Sequence, residues 1–302
     1  MSRIGRHDDF AAFISRYLEG KIQKITINTA LSCPNRDGTK GRGGCTYCNN
    51  RSFSPAFASA LLSVTQQLAE GRDFFARKYP HMRYLAYFQS YTSTNAPVET
   101  LLAQYREALE APSVAGIVIG TRPDCMPPEL LDALQELSQR TFIMIEYGAE
   151  SSHDSTLRAV NRCHTWADTC RAVQLTHEAG IPVGLHFIMG LPGESRQDMF
   201  ATIDAINLLP VDMVKFHHMQ IIAGTRLAVQ YQTGEAKPTV WTPEEYLELC
   251  CEIVGRLRSD IAIERFVASA PSHMVIAPRW GLKNYQFAHM LQSRLSKNMQ
   301  NG

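Results

Sequence analysis

Apolar and polar positions along the chain fall into two alternating rhythms. Ile22–Asn28 alternates residue by residue, as a strand with one covered face does, and after a long loop Leu61–Lys78 takes up a helical spacing. Tyr84–Gln89 is strand-like and is followed by a helical stretch from Pro97 to about Leu109. Gly116–Ile119 is a short apolar strand with a helix over Pro128–Leu137 behind it. Thr141–Ile145 is an apolar strand followed by helical segments, Pro182–Ile188 leads to a helix starting near Glu194, and Met213–Met219 closes the series. Six strands separated by helices predict a parallel sheet with helical crossovers. Six units fall short of the eight of a closed barrel. The expected fold class is therefore α/β, a partial (β/α)6 TIM-like barrel with a small C-terminal extension; a doubly wound sheet also fits the count. Beyond Thr242 the pattern gives a helix over Pro243–Leu257, a short strand near Ile261–Phe266 and a polar tail. The expected division is a helical lead-in over 1–17, a core domain over 18–255 and the extension over 256–302.

With 302 residues, 45% of them hydrophobic, the chain can bury a large core, and 20% charged residues exclude a disordered chain. A net charge of +1 excludes a general polyanion binder, so any nucleic-acid surface has to be local. Met1–Phe10 carries Arg3, Arg6, Asp8 and Asp9 and lacks the apolar centre of a signal peptide. No apolar run approaches the roughly 20 residues of a membrane span. A cytoplasmic protein with no membrane partner is expected. In a reducing compartment the 8 cysteines read as ligands or catalytic groups before disulfides.

In parallel α/β folds the reactive groups follow the carboxyl ends of the strands. After the first strand comes the loop Cys33-Pro34-Asn35-Arg36-Asp37-Gly38-Thr39-Lys40-Gly41-Arg42-Gly43-Gly44-Cys45-Thr46-Tyr47-Cys48. Three soft thiolates in a glycine-rich loop suit an iron–sulfur cluster or zinc. Three ligands to a four-iron cube leave one iron open for the amino and carboxylate groups of S-adenosylmethionine, whose cleavage gives a 5′-deoxyadenosyl radical. A structural zinc site needs four ligands, and the loop supplies three, with no histidine between Asn28 and Arg51. A redox Cys-x-x-Cys pair, Cys45 and Cys48, leaves Cys33 without a role.

This loop resembles the radical S-adenosylmethionine superfamily. The commonest spacing there is Cys-x3-Cys-x2-Cys, whereas eleven residues separate Cys33 from Cys45 here. The long gap resembles the elongator catalytic-subunit-like branch, and Cys-Pro-Asn-Arg-Asp-Gly is similar to the YhcC-type bacterial proteins; the resemblance runs through about 18–255. It implies a 4Fe–4S cluster on Cys33, Cys45 and Cys48, S-adenosylmethionine as cofactor and a reductant protein such as flavodoxin or ferredoxin as partner.

Downstream residues give candidates for holding that cofactor. Glu146 ends an apolar strand, where a carboxylate needs a partner. Either it pairs with a nearby arginine such as Arg122 or it accepts from ribose hydroxyls. Glu146-Tyr147-Gly148-Ala149-Glu150-Ser151 is similar to the fourth-strand motif of the elongator-like branch, which implies the ribose role. Gln89–Thr94 occupies the place of the family's glycine-rich second-strand motif, so that backbone carbonyls or the Ser90 and Thr92 hydroxyls would meet the methionyl amino group; the other reading is a helix-capping loop. Asn161-Arg162-Cys163-His164-Thr165 resembles the family's Asn-Arg-Gly-His-Thr phrase, and Arg158 or Arg162 would take the cofactor carboxylate. Gly190-Leu191-Pro192-Gly193-Glu194 is either a turn near adenine or an ordinary turn.

Cys125, Cys163, His186, His217 and His218 are candidates for lining a substrate cavity, each against ordinary packing. Cys250 and Cys251 lie on a predicted helix and read as structural. Arg36, Lys40, Arg42 and Arg51 make the cysteine loop basic, and the tail after Glu264 interleaves Arg265, Arg279, Lys283, Arg294 and Lys297 with Trp280, Tyr285 and Phe287. Such a tail suits RNA or, equally, a solvated surface with aromatic anchors. Three functions follow: a radical enzyme on a nucleobase of tRNA, a radical enzyme on a small metabolite, and a non-catalytic iron–sulfur or zinc-binding module. The chain ends too soon after the barrel to hold the acetyltransferase domain of the elongator family, so that reaction is not carried over.

Overall fold

Four apolar residues in a row, Phe142-Ile143-Met144-Ile145, make a strand covered on both faces, and this strand is central in the sheet. The computed structural model describes residues 3–55, 57–76, 81–268 and 270–300. The predicted lead-in starts, the predicted helix ends at Lys78 and the tail ends among residues outside that range. Seven strands form one sheet: β1 (Ile22–Ile27), β2 (Arg83–Phe88), β3 (Val114–Thr121), β4 (Phe142–Glu150), β5 (Val183–Met189), β6 (Met213–His218) and β7 (Ala262–Arg265). Their spatial order is their sequence order, and every neighbouring pair is parallel. The result is a partial TIM-like barrel.

The strand count is one more than the six expected. The short strand near Ile261 does not stand apart: Ala262 and Ile263 pair with Met213 and Val214, lengthening the sheet at its β6 edge. Four residues, two of them buried, are too short to show a repeat of their own. A helix also starts later than expected. Ser195, not Glu194, caps the helix Arg196–Asn207, because Ser195 and Asp198 form a capping box. Glu194 is buried instead, with Ser151 donating to its carboxylate. Thr165 with Asp168 and Thr242 with Glu245 start two further helices in the same way.

Alternation along each strand sorts side chains to two faces. Ile117, Ile119, Ile143, Ile145, Leu185, Phe187, Val214 and Phe216 face the outer helices in the main core. On the concave face the amino-terminal end of the barrel is apolar. Leu85, Val118, Met144, Met213 and Ala262 pack there against Phe13 and Ile14. The last two come from the short helix Phe10–Ile14, whose first turn is held by Asp9 accepting from the Ala12 amide at 2.9 Å. This helix plugs the barrel, and the residues one step further along each strand become the floor of whatever lies above.

Candidate functional site

Above that plug lies a cavity of about 1270 Å³, lined from the carboxyl ends of the strands and the loops that follow them. Cys33, Cys45 and Cys48 all line it. Cys33 stands just before the one-turn helix Pro34–Asp37, where Pro34 fits the first helical position. Gly41 is required by close approach: a Cβ there would meet Asn35 Oδ1 at 2.3 Å and Cys163 Sγ at 2.7 Å. The loop is pinned by the segment after β4. Asn161 Nδ2 donates to the Gly44 carbonyl at 2.8 Å, and the Thr46 amide donates to the Val160 carbonyl at 3.0 Å.

The surroundings of the thiols are cationic and rich in donors. Arg162 Nη1 and Asn35 Nδ2 each donate to Cys45 Sγ at 3.6 Å. Arg162 also donates from Nη2 to the Gly148 carbonyl at 2.6 Å and pairs with Glu150 at 3.4 Å. Arg36 reaches the Cys48 carbonyl at 2.9 Å. Burial, reinforced by Cys45, pushes the Cys48 thiol up to about 11. Among the described residues, no group of three or more His, Cys, Asp or Glu side chains is arranged to hold a metal ion.

Three buried polar atoms around this end of the cavity have no partner: Arg162 Nε, Arg122 Nη1 and Tyr47 OH. Buried donors without acceptors are costly. Their presence beside three thiols fits a negatively charged sulfur cluster and a ligand bearing a carboxylate. Arg122 is held rigidly for such a role, its Nε and Nη2 bound to the two oxygens of Asp124 at 2.9 and 3.1 Å. Glu150 enters the same space from a break in β4–β5 pairing, with φ of 68°, a left-handed value rare outside glycine. Burial raises its carboxyl above the usual range despite Arg162.

The floor of the cavity is a buried charge network centred on Glu146. Oε2 of Glu146 accepts from Tyr87 OH at 2.6 Å, His186 Nε2 at 2.8 Å and Lys215 Nζ at 3.1 Å, and Oε1 accepts from Lys24 Nζ. Both lysines also bridge to Glu264, Lys24 at 2.6 Å and Lys215 at 3.1 Å. Burial alone would raise the Glu146 carboxyl, but Lys215 and Lys24 hold it well below the ordinary range. Gly184 on β5 makes room: a Cβ there would meet Glu146 Cγ at 3.1 Å and Met144 Cε at 2.9 Å. Burial and Lys215 hold the His186 imidazole down at about 4, so it stays neutral.

Several sequence expectations are corrected here. Glu146 is paired, but with lysines and not with Arg122, which Asp124 claims. Arg158 is exposed and outside the cavity, because its helix, Asp154–Ala159, turns Thr156 and Leu157 inward. Arg162 lines it. Ser90 and Thr92 are buried away from the cavity, and the loop after β2 gives it Gln89 and Tyr91 instead. Ser90 Oγ accepts from Asn50 at 2.9 Å. Cys163 is exposed, with φ of 60° at the place where the family phrase has glycine. Trp280 and Phe287 are packing residues: Trp280 stacks on His218 at 4.0 Å and on Phe287 at 5.8 Å. Cys250 is fully buried in its helix. Lys24, Tyr87, Lys215, Glu264, Glu150 and Tyr47 were not foreseen as site residues. Lys24 and Lys215 stood as lone charges within otherwise apolar alternation, and that was the signal available.

Residues 32–206 match the Radical SAM superfamily, and residues 211–297 match the Radical_SAM C-terminal domain. The chain is 36% identical to Protein YhcC of Escherichia coli over 272 residues, covering 90% of this chain and 86% of that protein. It is 27% identical over 185 residues to a tRNA uridine(34) acetyltransferase of Methanocaldococcus infernus, covering 60% of this chain but only 33% of that protein. In fold it matches the solved archaeal Elp3 of Methanocaldococcus infernus with a TM-score of 0.67 at 17% identity, over 93% of this chain and 64% of that one.

Proposed function

The chain belongs to the radical S-adenosylmethionine superfamily, with a 4Fe–4S cluster and S-adenosylmethionine as cofactors, and on that premise we propose that it is an enzyme whose cavity couples cofactor cleavage to removal of a hydrogen atom from a substrate. When bound, the cluster and cofactor together supply an electron transfer to the sulfonium and a 5′-deoxyadenosyl radical. The residues that would hold the cluster are Cys33, Cys45 and Cys48. Arg162 and Asn35 stabilise negative charge on sulfur by donating to it. Arg122 and Arg162 offer the unpartnered donors that a methionyl carboxylate takes, and Glu150 offers a carboxylate to ribose hydroxyls or to an ammonium group.

The observation that carries this reading is the pairing of three cavity-lining thiols with unpartnered buried arginine donors. A module that only held a cluster would need neither the cavity nor the charged floor. For the substrate, the sequence match to a tRNA-modifying enzyme and the exposed Arg42 and Arg51 on the cysteine loop support a nucleobase of tRNA. The enclosed, charged floor supports a small metabolite.

The test is anaerobic reconstitution with iron and sulfide, reduction by dithionite or flavodoxin, and detection of 5′-deoxyadenosine from S-adenosylmethionine. Product above the level given by a chain lacking the three cysteines is expected. Its absence, with cell-extract substrates present, overturns the enzyme reading. Comparison of modified tRNA nucleosides from cells with and without the gene decides the substrate: a missing nucleoside supports tRNA, and an unchanged profile supports the metabolite.

A further inference from the structure

Cations stand at both ends of the cavity, and a cofactor held as proposed would bring its one carboxylate only to the end beside the thiols. On the floor, Lys24 and Lys215 are balanced by Glu146 and Glu264, each lysine bridging both carboxylates. The two imidazoles there, His186 and His217, are neutral, held down by burial and by neighbouring cations. Arg265, the last residue of β7, is the charge left over. It lines the cavity, and among the described residues no carboxylate lies within ion-pair distance of it. Its Nη2 donates to His217 Nε2 at 3.3 Å, and its Nε is buried with no partner at all. The charge of Arg265 reaches Glu264, but both lysines already share that carboxylate, so three cations face two carboxylates on the floor and the guanidinium lacks an anion of its own.

Resting on the reading of the cavity as that of a radical enzyme, we propose that Arg265, with His217 beside it, docks a single oxyanion of the substrate, a carboxylate or phosphate group. One unbalanced positive charge matches one such group. The space allows it: about 1270 Å³ exceeds the roughly 300–1,000 Å³ of a pocket for one small ligand, so cofactor and substrate fit together. His186 on Glu146 and His217 on Arg265 lie 6.1 Å apart with rings 23° from parallel, so two neutral imidazoles stand between the anion site and Glu146. The cations of the floor then set substrate choice, while the arginines by the thiols serve the cofactor.

Histidine-ring NMR of the full chain, before and after cluster loading, tests this without requiring cofactor cleavage, so its failure is distinct from failure of the radical-enzyme reading. Sodium phosphate and sodium acetate are titrated against sodium chloride at equal ionic strength. A saturable shift of the His217 ring with phosphate or acetate, absent with chloride, is expected, and the anion that saturates first names the substrate group. Arg265→Gln is expected to weaken that binding at least tenfold and Arg265→Lys to restore part of it. Should Arg265→Gln fail to fold, modification of the wild-type chain with an arginine-specific dicarbonyl gives the same answer: Arg265 is protected by the anion that binds. No saturable shift with either anion, unchanged binding by Arg265→Gln, or modification of Arg265 indifferent to both anions overturns the proposal.

Discussion

Arg162 and Cys45 meet in the buried lining of the cavity, the guanidinium Nη1 donating to the sulfur at 3.6 Å while Nη2 is tied to the Gly148 carbonyl. If Cys45 holds the cluster as proposed, this fixed cation tunes that ligand, and its Nε stays free for a further acceptor. Replacing Arg162 with Gln should weaken S-adenosylmethionine binding about 10–100-fold, since a hydrogen bond to a charged group contributes about 1.5–3 kcal/mol. Equilibrium dialysis of the reconstituted chain measures it; unchanged affinity would place the arginine outside the cofactor site.

Glu146 carries the floor. Removing its charge leaves Lys24 and Lys215 sharing Glu264 alone in a buried setting. Loss of one partner from a buried network costs about 3–5 kcal/mol. Glu146→Gln should therefore lower the urea midpoint by that much in stability, with most of it recovered when Lys24→Met is added. A loss under 1 kcal/mol would mean that water reaches the floor.

Acid should unfold the chain in a defined window. His186 is held at about 4, and His164 and His218 at about 3, mainly by burial. The free imidazole titrates near 6.5. Between these values the unfolded chain binds protons that the fold does not, so stability falls as pH drops from about 6.5 toward 4. Glu146, held low, adds loss in the same direction below about 4.5. Urea unfolding of the cluster-free chain at a series of pH values reads the slope, and His218→Gln should reduce it by about one proton, some 1.4 kcal/mol per pH unit. A flat profile between pH 6.5 and 4 would show the imidazoles to be solvated.

Cys163 adopts a conformation that costs a side chain about 1–2 kcal/mol, offset in part by its thiol donating to Asn35 Oδ1 at 3.1 Å. Cys163→Gly should stay within about 1 kcal/mol of the parent, and Cys163→Val should be destabilised by more, since a branched side chain tolerates positive φ worst. Thermal melts of both decide it; equal stability would mean that the turn relaxes freely.

The strands and the thiol loop were legible because each is local: a run of apolar residues, or three cysteines within sixteen positions. The floor was not. Lys215 stands between Val214 and Phe216, and Lys24 and Glu264 each adjoin an isoleucine; in an isolated strand that pattern reads as one core face and one wet face. Only the curling of seven strands turns the wet face inward and brings residues 240 positions apart into one ion pair, as for Lys24 and Glu264. Arg158 and Arg162 look alike in sequence, and the helix Asp154–Ala159 ending between them sends one out and the other in. Ser90 and Thr92 lie beyond the end of β2, in a loop where Tyr91 takes a φ of 53°, and that loop turns Gln89 and Tyr91 toward the cavity in their place.

The central claim is a four-iron cluster held by three thiolates with one iron open to S-adenosylmethionine. Electron paramagnetic resonance of the reduced, reconstituted chain, recorded with and without that cofactor, measures it most directly. The account predicts a 4Fe–4S signal whose shape changes when S-adenosylmethionine is added and which is lost when Cys33, Cys45 or Cys48 becomes Ala. A bound zinc ion in place of iron, or a cluster signal indifferent to the cofactor, would contradict it.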